Sequence, residues 1–100
     1  GGPVVAPSCA CLIISPLAPH NLTMRPVVVP DTARIALRVH ERRSDAFATL
    51  DNRSYPIASS AAFSIRRAEQ PIFLAMPHNI SFYDTLRNKM MWGIDIREKR

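Results

Sequence analysis

Glycine is scarce in this chain, three in 100 residues, and none is followed by a lysine and a hydroxyl residue. A Walker-type phosphate loop is thereby excluded from this stretch. Cysteine is limited to Cys9 and Cys11. Two apart, they share a face of a strand and do not bridge easily, and a pair alone makes neither a disulfide framework nor a zinc site. They are expected to be reduced core residues of a cytoplasmic protein. The three histidines, His20, His40 and His78, share no ligand spacing, so no metal-binding cluster is expected. Long apolar runs are also missing. Residues 1–24 carry no charge, but four prolines interrupt them, and the run from Cys9 to Ile14 falls far short of the roughly 20 residues that span a bilayer. No basic stretch suits a signal peptide. No membrane partner is expected.

Acidic residues number eight against thirteen lysines and arginines, giving a net charge of +5 and a pI near 10.0. Such a balance raises nucleic acid as a partner. The doublets Arg42-Arg43 and Arg66-Arg67 are not interleaved with an aromatic stacking platform of the kind that single strands require. The last fourteen residues hold five cations against two carboxylates, +3 of the total, which reads as a solvated tail. A phosphate-bearing small molecule would satisfy the remaining charge, and no nucleic acid is expected.

At 47% apolar and 21% charged, without a repeat, the composition is that of one globular domain. The opening Gly1-Gly2-Pro3 lacks a methionine and is read as the interior of a longer chain. Nine prolines leave few windows for a helix, since each removes a donor and restricts its predecessor. Strands are expected at 10–15 and around Val27-Val28-Val29. From Ala33 to His40, Ala33, Ile35, Leu37 and Val39 alternate with Arg34, Ala36, Arg38 and His40, as in a strand with one wet face. A turn at 41–45 then returns residues 46–50 as its hairpin partner. Asp51-Asn52 marks the next turn, followed by strands at 54–57, 61–66 and 72–76, with a turn at Ser59-Ser60.

One helix is expected. Ser81 with Asp84 forms a capping box, Phe82, Leu86 and Met90 recur as a core stripe, and Gly93 is placed at the C′ position. The fold class is mainly β, an antiparallel β-sandwich-like domain closed by one C-terminal helix.

Two places could carry chemistry. At Asp51, Asn52 and Arg53 a carboxylate, an amide and a cation share a tight turn and could face one ligand, or Asp51 could act as a local Asx cap. The loop 16–26, stiffened by Pro16, Pro19 and Pro26, offers His20, Asn21, Thr23 and Arg25 as a ligand shelf. Alternatively, His20 bonds to backbone and Arg25 anchors a turn.

The segments Gly1-Gly2-Pro3-Val4-Val5, Ser15-Pro16-Leu17-Ala18-Pro19-His20, Leu22, Arg25-Pro26 and Val29-Pro30 resemble the carboxy-terminal region of bacterial NAD kinases, the ATP-NAD kinase family. Leu50-Asp51-Asn52-Arg53 resembles that family's later turn, commonly Asp-Gly or Asp-Ser followed by Gln, and 81–92 resembles its terminal helix. The resemblance implies that residues 1–100 are the C-terminal β domain of an enzyme that transfers a phosphoryl group from ATP to the adenosine ribose 2′-hydroxyl of NAD, making NADP. It further implies a divalent cation such as Mg, a cytoplasmic location and a homodimer or homotetramer. The catalytic Gly-Gly-Asp-Gly loop belongs to an amino-terminal α/β domain missing from this chain, so the fragment is expected to be inactive alone, with no catalytic or metal residue of its own. By the same resemblance, Ala18 contacts NAD through its backbone and small side chain, and Asp51, Asn52 and Arg53 form the turn that closes over the site. Arg53 stands where Gln is common, and Ala6 replaces a frequent histidine. A free-standing basic β module that binds nucleic acid or serves oligomerisation is the alternative.

Overall fold

The computed structural model describes residues 2–40, 46–58 and 60–93. Its elements are β1 (Cys11–Ile14), β2 (Val27–Pro30), β3 (Ile35–Arg38), β4 (Ala46–Leu50), β5 (Arg53–Ile57), β6 (Ala62–Ile65) and α1 (Phe82–Met90). They form three two-stranded antiparallel ladders, β1-β2, β3-β6 and β4-β5, and a single helix. The mainly β reading with one C-terminal helix therefore holds.

The pairing differs from the expectation at one point. Residues 46–50 do not return along the 33–40 strand. β4 pairs with β5, from Leu50↔Arg53 to Ala46↔Ile57, and β3 pairs with β6, from Ile35↔Ile65 to Arg38↔Ala62. The physical reason lies at Asp51-Asn52, where a two-residue connection closes a hairpin with little loop entropy. The β4-β5 hairpin is thus nested between the strands of the β3-β6 ladder, which is extended by Val39 N–H donating to the Ala61 carbonyl at 2.8 Å. The turn expected at 41–45, the Arg42-Arg43 doublet, Ser59 and the charged tail from residue 94 lie outside the described residues.

The β3-β6 register sorts side chains by face. Ile35, Leu37, Phe63 and Ile65 share one side, and Ala36, Arg38, Ala62 and Ser64 the other, as the two-residue period requires. In β1-β2 every paired residue is apolar, so both faces of that ladder need cover. The 72–76 segment, expected as a strand, forms no strand and has no ladder partner among the described residues. A strand exists through its ladder bonds, and this segment has none. Ile72 and Phe73 are 87% and 91% exposed.

Helix α1 starts as expected. The Ser81 hydroxyl accepts from Asp84 N–H at 3.1 Å and donates to the Asp84 carboxylate at 2.9 Å, and that carboxylate also accepts from Ser81 N–H. Arg87 and Lys89 occupy the last turn, where cations suit the negative helix end. At the other terminus the left-handed residue is Met91, φ 55, at the C-cap, with Gly93 at φ 80 two residues later, so Gly93 is not the C′ residue. Ser81→Ala is expected to cost about 1 kcal/mol of local helix stability. It should raise amide exchange at Thr85 and Leu86 about fivefold; unchanged exchange would show the cap to be dispensable.

Packing between elements is sparse. Leu86 is the one buried hydrophobic among the described residues, with Phe82 half-buried and Met90 exposed, so the stripe is covered only at its centre. The cysteines are free, but Cys9 is exposed and Cys11 half-buried, which corrects their assignment to a core. The accessible surface is 9979 Å², where a compact monomer of this mass exposes about 5,700 Å². The radius of gyration is 18.3 Å, against about 13 Å for a compact 100-residue domain. Backbone ladders organise this chain, and its apolar faces are open.

Candidate functional site

The loop between β1 and β2 is held mainly by its own polar groups. Asn21 Oδ1 accepts from the Thr23 backbone N–H at 3.0 Å and from its hydroxyl at 2.7 Å, an Asx turn. The Arg25 guanidinium donates to the carbonyls of Leu22 and Met24 at 2.7 and 3.1 Å. Arg25 therefore anchors the turn, as one of the two sequence readings held. His20 is exposed and makes no hydrogen bond among the described residues, so no backbone bond accounts for it.

Ala18 lies at the exposed crest of this loop with φ 45. Left-handed backbone is costly for a residue with a Cβ, and Ala18 also precedes Pro19, which favours extended φ near −120° at that position. Strain of this kind persists where its surroundings enforce it, and it concentrates at ligand sites.

Asp51 is also left-handed, φ 53, while Asn52 is not. Positive φ at the first central residue alone follows the II′ hairpin pattern, normally served by glycine; aspartate tolerates it better than most residues. The Asp51 carboxylate accepts no hydrogen bond among the described residues, so it is not an Asx cap here. Thr49 and Ser54 share a 3.0 Å hydroxyl contact across the hairpin just below. Asp51, Asn52 and Arg53 sit together on one exposed turn. Ala18 belongs to another ladder, and no hydrogen bond joins its loop to that turn among the described residues. Nor do the described residues include three His, Cys, Asp or Glu side chains grouped to hold a metal ion. No described helix is long and apolar enough to cross a membrane.

The family model described as "ATP-NAD kinase C-terminal domain" matches residues 1–78, which takes in the Ala18 loop and the Asp51 turn. The chain belongs to this family. Relatives named NAD kinase include those of Cytophaga hutchinsonii, 37% identical, and Flavobacterium johnsoniae, 39% identical, each over 97 residues. The NAD kinase of Bacteroides fragilis is also 39% identical over 97 residues. In each case the match covers 97% of this chain and 33% of the relative; the chain spans about one third of the length of these proteins. No solved structure gives a significant match. In this ATP-NAD kinase C-terminal domain, sequence reasoning found the loop and the turn but missed a third cluster, Asp31, Arg34, Arg66 and Arg67, which line one cleft. The Arg66-Arg67 doublet was its visible signal; Arg34 lies one residue before the β3-β6 pairing, which the expected 33–40 and 46–50 hairpin did not contain.

Proposed function

We propose that this chain is the C-terminal part of an NAD kinase, which phosphorylates the 2′-hydroxyl of the adenosine ribose of NAD with ATP to make NADP. The observation that carries this reading is the family match over residues 1–78, together with left-handed backbone at Ala18 and Asp51, two of the four proposed ligand positions. Phosphoryl transfer depends mainly on positioning and charge neutralisation, and the residues here suit those tasks. Ala18 turns the loop so that its backbone and methyl group form a shallow seat for the dinucleotide. The Asp51 carboxylate, free of local hydrogen bonds, accepts from a ligand hydroxyl, Asn52 adds an amide, and Arg53 offers a guanidinium to the phosphates. The catalytic loop and the residues that grip the rest of the dinucleotide belong to the preceding part of the enzyme. A divalent cation, part of this proposal for the whole enzyme, would neutralise phosphate charge there. Assembly as a homodimer or homotetramer, supported by the open apolar faces, and a cytoplasmic location complete the proposal.

The test is NADP formation by the whole protein from NAD and ATP. Asp51→Asn removes the charge but keeps the shape, and it should lower kcat/KM about tenfold, the loss of one hydrogen bond to a charged group, with the unfolding midpoint unchanged. Undiminished turnover would remove Asp51 from the site, and absence of NADP with the unmodified protein would sink the reading.

A further inference from the structure

We infer that the open end of the β3-β6 ladder is an oxyanion site for a phosphoryl group, separate from the Ala18 loop and the Asp51 turn. The argument begins with register. Ile35↔Ile65 is the last pair of the ladder, so one step further antiparallel geometry sets Arg34 opposite Arg66. Like charges directly opposite each other destabilise a strand pair. Nearby, Arg67 Nη1 donates to Asp31 Oδ2 at 2.6 Å, and the Asp31 side chain is only 14% exposed. That pair commits the cleft's one carboxylate to Arg67.

The result is a cleft of about 290 Å³ lined by Asp31, Thr32, Ala33, Arg34, Arg66 and Arg67. Its lining holds three arginines and one carboxylate among the described residues. The volume suits a phosphate with its first waters, and the planar forks of Arg34 and Arg66 match its oxygens in a bidentate manner. Asp31 orients Arg67 at the rim, and Thr32 adds a hydroxyl. The turn beneath is tied by Asp31 N–H to the Ala10 carbonyl at 3.2 Å and by Ala33 N–H to the Pro30 carbonyl at 3.0 Å, so the β1-β2 ladder anchors it on one side and the Arg67–Asp31 pair joins it to the chain after β6. The phosphoryl group could be free phosphate or part of a nucleotide, and the two give different results.

The experiment is calorimetric titration of the whole protein with inorganic phosphate and, separately, with ATP, in the unmodified form and in Arg34→Gln/Arg66→Gln. Phosphate should bind the unmodified protein, also when NAD is saturating, and at least tenfold more weakly to the double variant. A parallel weakening for ATP identifies the nucleotide as the source; a loss confined to inorganic phosphate identifies the free anion. Arg66→Lys keeps charge but loses the fork and should weaken phosphate binding as well, while Arg38→Gln, at the other end of the strand, should leave it unchanged. In phosphate-free buffer the thermal midpoint of Arg34→Gln should equal or exceed that of the unmodified protein, because an opposed like-charge pair is relieved. Absence of phosphate binding, or binding indifferent to the double variant, overturns the inference.

Discussion

Ala18→Val in the whole protein is expected to reduce NAD phosphorylation at least a hundredfold, chiefly through KM for NAD, while Ala18→Gly retains or improves it. At φ 45 alanine already bears a left-handed penalty, and a β-branched side chain there is a genuine outlier. Valine would either force the loop back to negative φ, withdrawing the backbone from the ligand, or fill the seat with two further methyl groups. Both routes lose binding, since a shift of about 1 Å in a positioning element can cost on the order of a hundredfold. Glycine accepts this φ without strain. Steady-state kinetics with NAD as the varied substrate gives the comparison, and circular dichroism checks that the fold is kept. Equal KM values for the alanine and valine proteins would take Ala18 out of the site.

A second large effect concerns the chain by itself. Residues 1–100 in isolation are expected to show no cooperative thermal transition and to bind a hydrophobic dye strongly. The surface exceeds that of a compact monomer by roughly 4,000 Å², an area comparable to a large obligate interface. Ile72, Phe73, Leu74 and Met76 are open to solvent at 66% or more, and Leu86 is the one buried hydrophobic among the described residues. On the proposed reading of the chain as the C-terminal part of an NAD kinase, the whole enzyme should show a single transition and little dye binding. Differential scanning calorimetry decides the matter: a sharp two-state peak from the isolated chain would mean that its ladders find a core of their own.

Much of the local structure was legible because it follows from short-range chemistry. The capping box at Ser81 and Asp84, the alternation from 33 to 40 and the turn at Asp51-Asn52 each depend on residues within a few positions of one another. Pairing was less legible. Ala46 to Leu50 has two equally apolar candidate partners, and the choice between them depends on loop closure, which propensity does not encode. The segment 72–76 has every local property of a strand but no partner beside it, and pairing is a property of two segments. The four proposed ligand positions were reached through the resemblance and the turn chemistry. The positive φ of Ala18 was not, because nothing in Leu17-Ala18-Pro19 signals it. The Arg34 and Arg66 cluster stayed hidden for the same reason as the pairing, since it exists only in the β3-β6 register.

The nesting of one hairpin inside another ladder also sets an order of assembly. β4 and β5 meet across two residues, a closure that takes microseconds, whereas β3 and β6 must bridge everything between them. Once the inner hairpin has formed, its two ends lie side by side, and the outer strands need close only the short connections on either flank. Substitutions that destabilise the Asp51 turn should therefore slow folding, and destabilising ones along Ile35 to Arg38 should mainly hasten unfolding. The turn proposed to close over a ligand is then also the place where the chain begins to fold.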